Sequence, residues 1–182
     1  MSLEQQIVET LTQRRQTIGL CESLTAGLAS ATLANVPGAS SCLRGALVTY
    51  ATDLKATLAG VDEGLLAERG PVDAETARQM ALGTKRVLRT DWGLSLTGVA
   101  GPTQQNGHPV GEVFIGVAAP NGEAWSLRAA KEGAMKFELS EHSDTPVEVL
   151  LGDRPAIRAL AVECAFDALL AALVQESAKN DD

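Results

Sequence analysis

Helix-like and strand-like segments alternate along this chain, predicting a three-layer α/β/α sandwich around a mixed, mostly parallel sheet with one antiparallel hairpin. Two observations carry this expectation. Short apolar runs of strand length are separated by longer segments of helical period. Pro120-Asn121-Gly122 stands between two such runs, the signature of a tight hairpin turn. No repeat and no linker-like stretch interrupts the 182 residues, so residues 1–182 are expected to form a single domain.

The elements come in this order. Leu3, Ile7 and Leu11 recur at near-helical spacing and predict a helix over residues 3–15. Residues 17–22 (TIGLCE) read as a strand that stops at Ser23-Leu24-Thr25-Ala26-Gly27, before a small-residue helix over 28–34. Asn35-Val36-Pro37-Gly38 is loop punctuation, and residues 45–50 (GALVTY) read as a buried strand. Short helices are expected over 53–58 and 63–68, ahead of the break at Gly70-Pro71. Asp73 is a good N-cap for a helix over 74–89, with Glu75 in its first turn and Lys85, Arg86 and Arg89 in its last. Residues 93–99 read as a strand and 101–111 as a Gly/Pro/Asn loop. The hairpin arms span 110–119 and 123–129. Residues 131–145 show no period and read as a mobile excursion or flap. A strand over 147–151 comes next, then a helix over 155–175 behind Asp153, and a frayed tail over 177–182.

Composition narrows the function classes. The chain is 45% hydrophobic but only 3% aromatic, so its core must be built from Leu, Val, Ile and Ala. A net charge of −8 argues against a nucleic-acid partner, because phosphate backbones demand a basic surface. Cys21, Cys42 and Cys164 are scattered without a CxxC pair, which speaks against a disulfide framework or a metal cluster and for a reducing, cytoplasmic setting. The amphipathic, acidic start is unlike a signal peptide, and no apolar run approaches the ~20 residues needed to span a membrane.

Polar residues gather at the ends of the expected strands. Ser23 and Thr25 come after the first, Ser40 and Ser41 precede the second, Tyr50 and Lys55 come after it, and Thr97 closes a later one. Ligands in open α/β sheets bind beyond the carboxyl ends of the strands, so this clustering suggests one site. A strand running into a Ser/Thr/Gly turn and then a helix leaves N–H groups unpaired beside hydroxyls, which suits an anion or an oxyanion. The bland alternative is that these residues are caps and turn formers, with Lys55 on a solvated helix face.

Other constellations are weaker. His108 and His142 are the only histidines and no two-His metal site is expected, and His108 reads as a solvated loop residue rather than a triad base. Gly98-Val99-Ala100-Gly101 lacks the third glycine of a dinucleotide fingerprint, and no GxxxxGK[ST] occurs. Cys21 reads as a buried strand residue.

At the level of motifs the chain resembles the C-terminal domain of the CinA competence/damage-inducible family, whose enzymatic members are nicotinamide-nucleotide amidases. The family's ESCTGG corresponds to Glu22-Ser23-Leu24-Thr25-Ala26-Gly27 and its PGSS to Pro37-Gly38-Ala39-Ser40. VTYsneaK corresponds to Val48-Thr49-Tyr50-Ala51-Thr52-Asp53-Leu54-Lys55, and TGiAGP to Thr97-Gly98-Val99-Ala100-Gly101-Pro102. GaVSeetA begins at Gly70, kPVGtV at His108, and GDRxxxR at Gly152, ending on Arg158. Leu24, Ala26 and Ala39 depart from the family Cys, Gly and Ser, and the link from hairpin to GDR is longer than usual. Larger members carry a further N-terminal domain, so the resemblance implies a stand-alone form.

The resemblance implies a Ser/Lys amidohydrolase with Ser23 as nucleophile and Lys55 as its base. It implies substrate contacts from Thr25, Ala26, Gly27, Ser40, Tyr50, Thr97 and Gly98, and Arg154 against a substrate phosphate. The implied substrate is a small nucleotide, with no cofactor or metal, and the protein is expected to form a homo-oligomer. Two alternatives stay open: an inactive member acting as a binding or regulatory protein, and a Ser amidohydrolase acting on another small amide.

Overall fold

The computed structural model describes residues 1–180, with side chains through residue 176. The elements run α1 (Leu3–Arg14), β1 (Ile18–Glu22), α2 (Leu28–Ala34), β2 (Leu43–Val48), α3 (Thr52–Thr57), α4 (Glu63–Arg69), α5 (Ala74–Leu88), β3 (Trp92–Gly98), β4 (Val113–Ala118), β5 (Ala124–Arg128), β6 (Met135–Glu138), β7 (Val147–Leu150) and α6 (Arg154–Asn180). A five-stranded sheet has the order β2-β1-β3-β4-β5. β2, β1 and β3 are parallel, and β4 is antiparallel to both of its neighbours. Only β4 therefore runs against the other four, which gives the expected mixed, mostly parallel sheet.

The period of two along each strand sorts side chains onto two unlike faces. Leu20, Leu94, Leu96, Ile115 and Val117 enter one large core with Ile7 and Leu11 of α1, Leu33 of α2, and Phe166 and Leu169 of α6. Each fully buried aliphatic there contributes roughly 1.5–3 kcal/mol. The alternate positions carry Gly19, Cys21, Gly93, Ser95 and Gly116, and α5 lies almost directly on the backbone. A Cβ on Gly93 would sit 2.2 Å from Ala81 O, and one on Gly116 2.2 Å from Ala77 O. Ser95 Oγ completes this face by donating to Ala77 O at 2.6 Å. Helices thus cover both faces. Asp73 caps α5 as expected, accepting from Glu75 N and Thr76 N.

Three expectations need correction. Residues 131–145 are not a free excursion. Met135–Glu138 forms β6, paired antiparallel with β7 in a separate two-stranded ribbon, so the antiparallel content exceeds one hairpin. A strand of four residues is too short to announce a period, and only its partner reveals it. The ribbon is tied down by Leu150 N–H to Gly111 O at 2.9 Å and by Glu141 N–H to Gly107 O at 3.1 Å. The last helix is longer than expected and runs to Asn180. Of the tail expected over residues 177–182, residues 181–182 lie outside the described residues. Among the described residues no helix is long and apolar enough to cross a membrane.

Candidate active site

β1 is held between β2 and β3, and the two neighbours fix the chain where β1 ends. Glu22 O accepts from Thr49 N–H at 2.9 Å on one side, and Ser23 N–H donates to Leu96 O at 3.0 Å on the other. Ser23 therefore stands at a rigid strand end at the carboxyl edge of the parallel strands. It lines a cavity of about 360 Å³ together with Tyr50, Lys55, Thr97, Gly98 and Arg154.

Lys55 comes from α3, directly after β2. Its side chain is 1% exposed. Nζ lies 3.0 Å from Ser23 Oγ and 2.8 Å from Thr49 O. Burial lowers its pKa from 10.5 to about 8, the nearby Cys21 and Asp53 opposing only part of that shift. A neutral amine here can keep donating to Thr49 O while its lone pair faces the serine hydroxyl. The pair can therefore move a proton from Oγ to Nζ, the step that turns a hydroxyl into a nucleophile. Lys55 is not the solvated helix residue of the bland reading.

The turn after Ser23 is built differently from expectation. Its N–H groups are not all free for a ligand. The fully buried Glu22 carboxylate accepts from Gly27 N at 2.9 Å, Ala29 N at 3.0 Å and Ser30 N at 2.8 Å. It caps α2 from inside the sheet and supplies negative charge where the helix start is electropositive. Ala26 N–H is bonded to Ser23 O, and Leu28 N–H to Thr25 O. Among the described residues only Leu24 N–H and Thr25 N–H of this turn have no hydrogen-bond partner. From the other side Arg158 Nε donates to Leu24 O at 3.0 Å and Nη2 to Thr25 O at 2.7 Å. A trans peptide opposes its C=O and N–H, so the grip on Leu24 O turns Thr25 N–H away from Arg158.

The remaining expected residues divide. Arg154 donates to Gly101 O at 2.5 Å and to the Tyr50 hydroxyl at 2.7 Å, bridging the cavity rim. Thr97, 1% exposed, donates to Pro71 O at 2.6 Å. Gly98 borders the cavity, but its missing side chain serves packing: a Cβ would meet Glu112 O at 2.4 Å. Thr25, Ala26 and Gly27 do not line the cavity. Thr25 is fully buried, and Ala26 and Gly27 turn the chain away with φ of 49° and 95°. Ser40 is the clear miss. It is exposed in a short 3₁₀ turn (Ala39–Ser41) before β2. Because β2 is parallel to β1, its lead-in lies at the opposite sheet edge, a strand length of roughly 20 Å from the carboxyl ends.

Glu22, Thr49 and Arg158 escaped the sequence reading as site residues. Glu22 and Arg158 stand at the ends of two motifs, ESCTGG and GDRxxxR, which was the available signal. His108 is also corrected. It is 5% exposed, Nδ1 lies 2.8 Å from Glu112 Oε2, and its ring stacks on His142 at 4.0 Å. Glu112 is further bonded by Arg128. This cluster does not line the Ser23 cavity, and among the described residues no group of His, Cys, Asp and Glu could hold a metal ion.

The architecture and the site define a class: an α/β sandwich with a buried Ser–Lys pair in a cavity beyond the carboxyl ends of its parallel strands. The family model of the CinA C-terminal domain matches residues 1–138, and the chain belongs to that family. A CinA-like protein of Frankia casuarinae is 43% identical over 166 residues, which is 91% of this chain and 34% of the relative. A putative competence-damage inducible protein of Streptococcus pneumoniae is 46% identical over 121 residues, 66% of this chain and 29% of the relative. The chain thus spans about a third of the length of these relatives. The competence/damage inducible protein CihA of Agrobacterium tumefaciens superposes with a TM-score of 0.77 at 28% identity, over 93% of this chain and 92% of that one. A CinA superfamily protein of Klebsiella pneumoniae gives 0.82 at 22% identity, over 95% and 96%, a likeness of fold.

Proposed function

We propose that the chain is a nicotinamide-nucleotide amidase that converts nicotinamide mononucleotide and water to nicotinate mononucleotide and ammonia. The observation that carries the reading is the buried Lys55 amine, 3.0 Å from Ser23 Oγ, in a cavity large enough for a small ligand. Ser23 Oγ attacks the carboxamide carbon as neutral Lys55 takes the hydroxyl proton. The oxyanion is held by the free N–H of Leu24, the residue of this turn that lines the cavity with Ser23. The C–N bond breaks, the nitrogen takes the proton back from Lys55, and ammonia leaves an acyl ester on Ser23. Water, deprotonated by Lys55, attacks the ester, and Ser23 regains its proton as the carboxylate departs. Arg154 at the rim pairs with the 5′-phosphate, whose charge favours a guanidinium fork even on an acidic protein.

The test is release of ammonia from nicotinamide, its riboside and its mononucleotide by the purified protein. Turnover that favours the mononucleotide supports the reading. Turnover of a different amide moves the protein to another substrate. No turnover of any amide, with the mononucleotide still bound, makes it a binding protein.

A further inference from the structure

A second cavity, of about 640 Å³, lies beside the Ser23 cavity and shares Ala100, Gln104 and Arg154 with it. Its apolar wall is Pro102, Pro109 and Val110 of the loop before β4, faced by Leu139 at the end of β6. Leu139 is 79% exposed, although it borders this concave surface. Isolated exposed leucines are ordinary, but one on the rim of a cavity is apolar area that a ligand can cover.

The charges around this cavity cancel. Lys136 Nζ is paired with Glu138 at 2.6 Å. The Asp153 carboxylate accepts from Ala156 N–H at 3.0 Å and keeps its negative charge, which offsets that of the adjacent Arg154. What remains is the shared Arg154 at the boundary and an apolar slot beyond it, with the Gln104 amide at its edge. Such a slot does not ask for a second anion. It suits a flat, uncharged heteroaromatic group whose faces stack on proline and leucine and whose edge reaches an amide.

We propose that this second cavity is a further subsite of the same groove. It takes a nucleobase joined beyond the phosphate that meets Arg154, so that dinucleotides bind as well as mononucleotides. The inference rests on the nucleotide reading of the first cavity. The β6–β7 ribbon, which supplies Leu139, is what makes the subsite.

The test uses adenosine diphosphate ribose, which has no carboxamide and so reports binding apart from hydrolysis. Calorimetry on the full chain compares it with ribose 5-phosphate and with nicotinate mononucleotide, for wild type and Leu139→Asp. Leu139 is exposed, so the variant keeps its fold. The expected result is that adenosine diphosphate ribose binds more tightly than ribose 5-phosphate. Leu139→Asp then weakens it roughly tenfold and leaves the mononucleotide within about twofold. Equal binding of the two ribose ligands, or equal loss of both nucleotides in the variant, overturns the subsite. Binding of adenosine diphosphate ribose without ammonia release from any nicotinamide nucleotide supports the subsite and overturns the amidase. Ammonia release without such binding does the reverse.

Discussion

Glu22 and Gly27 are joined across the turn that carries Ser23: Glu22 Oε2 accepts the Gly27 N–H at 2.9 Å. The same carboxylate also holds Ala29 and Ser30, so one buried charge fixes the first turn of α2 and, through it, the loop after β1. Glu22→Ala leaves three N–H groups without an acceptor and should lower stability by about 2–4 kcal/mol. Glu22→Gln keeps one oxygen and should lose about half as much. Chemical denaturation measures both, and a Glu22→Ala protein as stable as wild type would show that the cap contributes nothing.

Ser23 and Lys55 should behave as one unit. Either alanine variant should cost about as much in kcat as the double variant, because parts of one device are not additive. With Lys55 lowered to about 8, kcat/KM should rise roughly tenfold per pH unit well below that value and level off above it. The sign comes from the base being the neutral amine. Lys55→Arg should be inactive, since a guanidinium stays protonated. Ammonia release against pH is the measurement, and a flat profile from pH 6 to 9 would remove Lys55 from the base role.

The same burial makes Lys55 a liability for folding. At pH 7 the amine is protonated in both the folded and unfolded chains, and the folded state carries the full desolvation penalty. Between pH 8 and 10.5 the folded chain has released a proton that the unfolded chain keeps, so the penalty fades as pH rises. A shift from 10.5 to about 8 corresponds to about 3 kcal/mol. Lys55→Met, which gives up the bond to Thr49 O, should therefore be stabilised by about 2 kcal/mol at pH 7. The advantage should shrink toward pH 10. Thermal melts across that range decide it, and a variant less stable than wild type at pH 7 contradicts the account.

Arg154 should matter for binding more than for turnover. Arg154→Ala should raise KM for nicotinamide mononucleotide roughly tenfold, with kcat changed less than about threefold, if the guanidinium meets the phosphate. Tyr50→Phe removes one hydrogen bond to that guanidinium and should have a smaller effect in the same direction. Unchanged KM in Arg154→Ala would assign the side chain to its contacts with Gly101 and Tyr50 alone.

Much of the site was legible locally. The abrupt stop of β1 at Ser23, the placement of Lys55 after β2, and Thr97 at the end of β3 are consequences of strand-length runs ending in polar residues. Parallel strands bring their carboxyl ends together, so those residues converge once the strand directions are known. Asp73 and the Pro-Asn-Gly turn were readable for the same reason, since caps and tight turns depend on a few adjacent residues.

The chain order determined the alternation of helices and strands, the hairpin, and the gathering of polar residues at strand ends, while the pairing of Ser23 with Lys55 came from the motif resemblance. Only the tertiary structure decided which groups face each other. Ser40 lies close in sequence to β2 but at the wrong edge, because strand direction is a property of the sheet. Glu22 looked like one more strand residue, yet it caps a helix that begins six residues later, at Leu28. Arg158 reaches Leu24 and Thr25 across more than 130 positions, a contact no local pattern contains. The lowered pKa of Lys55 is likewise a consequence of burial, and burial belongs to the packed molecule rather than to the order of its residues.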